Sequence, residues 1–78
     1  MITGAQIAAA RKLLDWGPDR LARRAKLPVT VINRAEFSSG EPNITITQLD
    51  VLLRTLKAAG IEFTAEDPGV KLEKEKQP

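Results

Sequence analysis

The twenty-residue stretch Gly17–Glu36, GPDRLARRAKLPVTVINRAE, decides the fold that this sequence predicts. Proline is favoured in the first turn of a helix, where its missing N–H costs nothing, so Pro18 and Pro28 are each placed to begin a helix. The first of these helices ends near Ala25, and a tight turn at Lys26-Leu27 separates it from the second. The stretch therefore predicts two short helices joined by a turn, a helix-turn-helix.

The spacing of the apolar residues separates the two faces of this pair of helices. Ala22 is the small residue predicted where the two helices cross, and the residues predicted to fill the wedge between them are Leu21, Ala25, Leu27, Ile32 and Ala35. Four residues are left on the outward face of the second helix: Val29, Thr30, Asn33 and Arg34. In the major groove of DNA, asparagine and arginine make paired hydrogen bonds to base edges, and valine can contact a thymine methyl group. We therefore predict that these four residues contact bases.

The same kind of start signal predicts one helix before this stretch and one after it. Thr3 with Gln6 and Thr45 with Gln48 each fit a capping box, in which the two side chains satisfy each other's backbone N–H groups. Leucines at helical spacing then give the later helix an apolar face: Leu49, Leu52, Leu53 and Leu56. Gly60 is placed to be its left-handed C-terminal cap.

The C-terminal part of the chain predicts a β hairpin. Residues 61–64 and 70–73 alternate between apolar and polar, and Asp67-Pro68-Gly69 between them is typical of a turn. The predicted fold class is mainly α, with four to five helices and this short C-terminal hairpin. Residues 1–60 would form the helix-turn-helix domain, residues 61–73 a hairpin suited to dimerisation, and residues 74–78 a frayed tail.

Composition excludes several classes of function. None of the 78 residues is a cysteine or a histidine, so disulfides, thiolate metal sites and histidine-based catalysis are ruled out. The sequence also has no glycine-rich phosphate loop and no paired carboxylates. We therefore expect no enzymatic activity, no cofactor and no metal. Because the sequence shows no signal peptide and no apolar run long enough to span a bilayer, we expect a cytoplasmic protein with no membrane partner.

Charge is distributed unevenly along the chain. The net charge is +2, but residues 11–34 carry +5 and residues 35–78 carry −3. A polyanion would therefore dock on the helix-turn-helix half of the molecule.

Three segments resemble one known family: IAAARKLLDW at residues 7–16, LARRAKLPVTVINRAE at residues 21–36 and LKAAGIEF at residues 56–63. Over about residues 2–60 the chain resembles the phage-repressor and Cro type of helix-turn-helix domain, also called the xenobiotic-response-element family. The resemblance implies a DNA-binding transcriptional regulator, with base contacts on the outward face of the third helix. It also implies a structural ion pair between Arg11 and Glu36 that ties the first helix to the third.

The sequence departs from the family pattern at three places. Gly17-Pro18 replaces a polar pair that contacts phosphate, Lys26 replaces the turn glycine, and Pro28 replaces a serine cap. A left-handed backbone at Lys26 would cost about 1 kcal/mol. The family places phosphate contacts at the starts of the second and fourth helices, and we expect nearby basic residues to replace the lost pair. The phosphate-contact candidates are Arg20, Arg23, Lys26, Asn43 and Thr45.

So small a core needs a partner, and we expect a homodimer. The apolar residues of the hairpin are the candidates for the dimer interface: Ile61, Phe63, Val70 and Leu72. Dimerisation through helices is the alternative. Trp16 is predicted to anchor against the fourth helix or the hairpin, and Phe37 to lie in the core or in an interface.

The predicted function is transcription regulation by a repressor or a dual-acting switch that binds an inverted-repeat operator in double-stranded DNA. The alternative is a protein-interaction module, of antitoxin or anti-activator type, that uses the same helices to hold a regulatory protein partner.

Overall fold

The computed structural model describes residues 2–66 and 69–73. Its elements, in chain order, are α1 (Gly4–Leu13), α2 (Pro18–Ala25), α3 (Val29–Phe37), α4 (Ile46–Ala58), β1 (Ile61–Phe63) and β2 (Val70–Leu72). Four helices followed by a two-stranded antiparallel hairpin confirm the predicted fold class. The predicted turn residues Asp67 and Pro68 and the predicted frayed tail, residues 74–78, lie outside the described residues.

Both predicted capping boxes are present. The Thr3 hydroxyl accepts the Gln6 backbone N–H at 3.2 Å, while the Gln6 side chain accepts the Thr3 N–H at 2.8 Å. Thr45 and Gln48 exchange the equivalent two bonds, both at 3.0 Å. Each pair satisfies N–H groups that the first turn of a helix leaves without partners, which is why α1 and α4 begin where the sequence predicts.

The turn between α2 and α3 contains the left-handed residue that the resemblance suggested. Lys26 has φ 59° and ψ 41°, and the following residue, Leu27, donates its N–H to the Ala22 carbonyl at 3.0 Å. The conformation disfavours any L side chain by about 1 kcal/mol. The half-buried Leu27 packs against the core immediately after this residue, so the strained turn brings an apolar side chain inward.

One core joins the helices and the hairpin. Its buried members are Ile7, Ala10, Leu21, Ala22, Ala25, Ile32, Ala35, Leu52, Leu56, Ile61 and Val70. α3 packs against both α1 and α2, whereas β2 lies along α1 and β1 along α4. Among the described residues, this arrangement leaves the remaining face of α3 uncovered.

The four apolar residues of the hairpin differ in how far they are buried. Ile61 pairs with Leu72 and Phe63 with Val70 in the strand register. Ile61 and Val70 are only 4% and 5% exposed, because they complete the chain's own core. Their side chains are therefore occupied by the chain's own core, and a contact of these two residues with a second copy stays a prediction. Phe63 and Leu72 are half-buried against the same core.

Gly4 allows α1 to approach the end of α3. A Cβ atom built on Gly4 would collide with the carbonyl oxygen of Ala35, and Gly4 donates its own N–H to the Gly40 carbonyl at 2.9 Å. The obstacle is backbone rather than a flexible side chain, so relief requires movement of a helix.

We expect Gly4→Ala to lower the free energy of unfolding by about 2 to 3 kcal/mol, because overpacking at this contact displaces α1 from α3. Urea denaturation measures the loss. The control is Gly17→Ala, whose added Cβ would meet only a side-chain oxygen of Asp19 at 3.3 Å. This control should lose less than about 1 kcal/mol, and equal losses in the two variants would contradict the role given to Gly4.

Candidate nucleic-acid interface

The third helix has one buried face and one open face. Val31, Ile32 and Ala35 are buried, and at 3.6 residues per turn they occupy an arc of about 100°. The four predicted base-contact residues occupy the opposite arc of about 140°. The sequence therefore separates the two faces of α3 correctly.

The four predicted base-contact residues are all accessible, to different degrees. Thr30 and Arg34 are exposed, Val29 is 39% exposed, and Asn33 is half-buried. Polar groups that can donate or accept hydrogen bonds thus lie beside a small apolar side chain on one short helix. Such a surface can contact the edges of bases in a duplex.

The Arg11–Glu36 ion pair fixes α3 against α1. Arg11 Nε and Nη2 donate to the two carboxylate oxygens of Glu36 at 2.7 and 3.0 Å, and Arg11 Nη1 donates to the Trp16 carbonyl at 2.8 Å. The two side chains are only 12% and 7% exposed, so water screens the pair weakly. The hydrogen bonds to Glu36 raise the pKa of Arg11, and desolvation opposes them only in part. The ion pair implied by the resemblance is present, and it is structural.

Several exposed basic side chains of α2, its turn and α3 have no acidic partner in the part of the chain that the structure describes. Within residues 2–66 and 69–73, salt bridges involve Arg11, Arg54 and Lys71. The exposed basic residues of α2, its turn and α3 take part in none of these salt bridges: Arg20, Arg23, Arg24, Lys26 and Arg34. This half of the molecule therefore keeps its positive potential.

These basic side chains form two groups, according to whether they lie over the ring of Trp16. The Arg24 and Arg20 guanidinium carbons lie 5.1 and 6.0 Å from the centroid of the Trp16 ring, within the range of a cation–π interaction. Trp16 packs against the core and lines a depression together with residues of α4, so it lies on the α4 side of the molecule. Arg20 is thus drawn toward the indole, whereas no ring contact is found for Arg23 or Lys26 among the described residues. Sequence reasoning did not single out Arg24.

The other two phosphate-contact candidates lie near the start of α4. Asn43 and Thr45 are exposed. Ser38 ties this loop to α3, because its hydroxyl donates to the Arg34 carbonyl at 2.6 Å and accepts the Asn43 N–H at 2.7 Å. The hydroxyl oxygen of Thr45 already accepts the Gln48 N–H, so the capping function of Thr45 is established, and a phosphate contact there stays a prediction.

Phe37 is the residue of this surface that sequence reasoning missed. It is 84% exposed, so it does not lie in the core, and a role in an interface stays a prediction. Phe37 follows Thr30 by seven residues and Asn33 by four, which places it about 20° from Thr30 and about 40° from Asn33 around the helix axis. That spacing was the available signal.

Comparison with known proteins gave no match to any family model, curated protein or solved structure. The resemblance to the phage-repressor family therefore stays a prediction. Among the residues that the structure describes, no helix combines the length and apolar character needed to cross a bilayer.

We expect Arg11→Met to lower the free energy of unfolding by about 3 kcal/mol, because it leaves the Glu36 carboxylate buried without its partner. The matched control is Arg54→Met, which breaks an ion pair with Asp50 whose side chains are 80% and 57% exposed. The control should lose less than about 1 kcal/mol. Urea denaturation measures both, and an Arg11 variant no weaker than the control would contradict the structural role of the pair.

Proposed function

We propose that this chain is a sequence-specific DNA-binding transcriptional regulator, a repressor or a dual-acting switch, that acts in the cytoplasm. Its third helix would enter the major groove of operator DNA. The observation that carries the proposal is the open face of α3, where Val29, Thr30, Asn33 and Arg34 are accessible. The exposed basic residues of α2 and its turn add to it, since they have no carboxylate partner within residues 2–66 and 69–73.

The dimensions and chemistry of α3 suit this role. An α-helix with its side chains is about 10–12 Å across, which matches the roughly 12 Å width of the major groove. Asn33 can hydrogen-bond adenine and Arg34 can hydrogen-bond guanine through two atoms each, while Thr30 is less selective. The Arg11–Glu36 pair holds this helix rigidly, which reduces the entropy lost when it binds.

Phosphate contacts would come from the basic side chains that make no cation–π contact with Trp16. Arg23 and Lys26 belong to α2 and its turn, are exposed and have no carboxylate partner in the described part of the chain. Their contacts would set position and affinity rather than sequence preference.

The chain would bind an inverted repeat as a homodimer, with its two recognition helices about 34 Å apart. Phe63 and Leu72 are the apolar hairpin residues that keep some exposure, and within the described residues each strand has one edge without a strand partner. The two copies would contact each other either through their hairpins or through their helices, since both arrangements allow two-fold symmetry.

A second candidate function is protein binding of the antitoxin or anti-activator type. The exposed Phe37 favours it, because a large apolar side chain on an accessible helix face is common in protein interfaces. Phe37 and Val29 lie on the same open face of α3, so a partner protein would compete with DNA for it.

We expect selection from random duplex DNA to recover an inverted repeat. Arg34→Glu should then abolish binding to that operator, because it places a carboxylate against the groove and removes a base contact. The control is Lys57→Glu, an exposed residue of α4 with the same change in charge, which should bind within about threefold of the wild type. Electrophoretic mobility shift and circular dichroism together measure binding and folding.

Two results would contradict the proposal. One is the recovery of no sequence by the folded protein. The other is an Arg34 variant that binds as well as the control. A different result would favour the second candidate. In that case neither the wild type nor the folded Arg34→Glu variant binds DNA, and both capture the same partner protein.

We expect Arg23→Ala to reduce the slope of log affinity against log salt by about 1, because one phosphate contact and its released counterion are lost. Arg20→Ala is the matched comparison on the same helix and should change the slope less, since that side chain is drawn toward Trp16. Fluorescence anisotropy at several salt concentrations gives both slopes. An unchanged slope for Arg23→Ala would remove it from the phosphate contacts.

A further inference from the structure

Phe37 is an apolar side chain on an otherwise mixed polar face. It ends α3, is 84% exposed, and lies close to Thr30 and Asn33 around the helix axis. The exposed ring is available to a ligand on this face, and burying it there would release the water around it. If α3 enters the major groove with Thr30 and Asn33 toward the bases, Phe37 faces the same groove.

The end of α3 holds Phe37 in place. Ser38 takes an extended conformation, with φ −69° and ψ 140°, so the chain leaves the helix directly after the ring. The Ser38 hydroxyl bonds the Arg34 carbonyl and receives the Asn43 N–H, which ties the helix end to the following loop. The backbone that carries Phe37 is therefore fixed before any ligand binds.

The base edges in the major groove offer few apolar groups. Of the four bases, thymine alone presents a methyl group there, while the other atoms are hydrogen-bond donors or acceptors. A phenyl ring can neither donate to nor accept from these polar atoms, and a contact with phosphate oxygens would desolvate them without a hydrogen bond. The thymine methyl is the group that suits Phe37.

We propose that Phe37 is a specificity residue that contacts a thymine methyl in the operator. The inference rests on the proposed function and deepens it. Seven residues of helix rise separate Phe37 from Thr30 by about 10 Å, or about three base pairs along the groove. The preferred thymine therefore lies about three base pairs from the base that Thr30 contacts.

Replacement of single thymines by deoxyuridine tests this, because it removes the methyl group and leaves the hydrogen-bonding edge unchanged. The probe is a duplex with one half-site of the selected operator, which removes any effect of dimer contacts. For the wild type, uracil at the position about three base pairs from the base that Thr30 contacts should weaken binding about fourfold, the effect of one buried methyl group. Phe37→Ala should bind the thymine probe more weakly and show no discrimination at that position.

The matched control variant is Ile46→Ala. Ile46 is 87% exposed and apolar but belongs to α4, so its loss should leave the fourfold discrimination intact. Circular dichroism checks that both variants fold.

Three outcomes would overturn the inference. One is Phe37→Ala that discriminates thymine from uracil as the wild type does, and another is a wild type that discriminates at no position. A third is Phe37→Ala that keeps its half-site affinity but loses cooperative binding to the full operator, which would place a second copy of the chain over the ring. A wild type that binds no duplex at all would overturn the proposed function itself, and this is distinguishable because no discrimination can then be measured for any variant.

Discussion

The Arg11–Glu36 ion pair is the interaction on which the position of α3 depends. A guanidinium is a planar group with donors in fixed directions, so two bonds to one carboxylate set an orientation as well as a distance. The third bond of Arg11, to the Trp16 carbonyl, adds the connection between α1 and α2 to the same centre. Gly4 makes a second contact between α1 and α3, where backbone meets backbone. The open face of α3 is therefore presented by a helix that is fixed at more than one point.

Local signals in the sequence predicted the elements of the fold. A capping box spans four residues and its energetics are local, so Thr3 and Thr45 mark helix starts without any knowledge of the tertiary structure. The period of 3.6 residues likewise separated the buried residues of α3 from its open face. Arg11 and Glu36 are 25 positions apart, and only the resemblance to a known family paired them.

The features that the sequence did not predict depend on packing between residues that are far apart in the chain. The alternation of apolar and polar residues in the hairpin indicates that one of its faces is covered. It does not tell whether the chain's own helices or a second copy covers that face. Ile61 and Val70 are covered by the chain's own core. Gly4 carries no recognisable signal, since the carbonyl that it approaches comes from another helix. Arg20 lies near Trp16 because a loop brings the indole under α2. The helical spacing of Phe37 was visible in the sequence, but hydrophobicity alone favoured a buried ring.

Two opposing requirements apply to Lys26, one to its backbone conformation and one to its charge. Its left-handed backbone favours glycine, whereas its ammonium group adds positive charge beside α3. If the proposed function holds, evolution toward heat resistance would favour glycine at this position, and evolution toward tighter attachment to nucleic acid would keep the lysine. On that proposal, lysine at this position would exchange some stability of the fold for attraction to a polyanion.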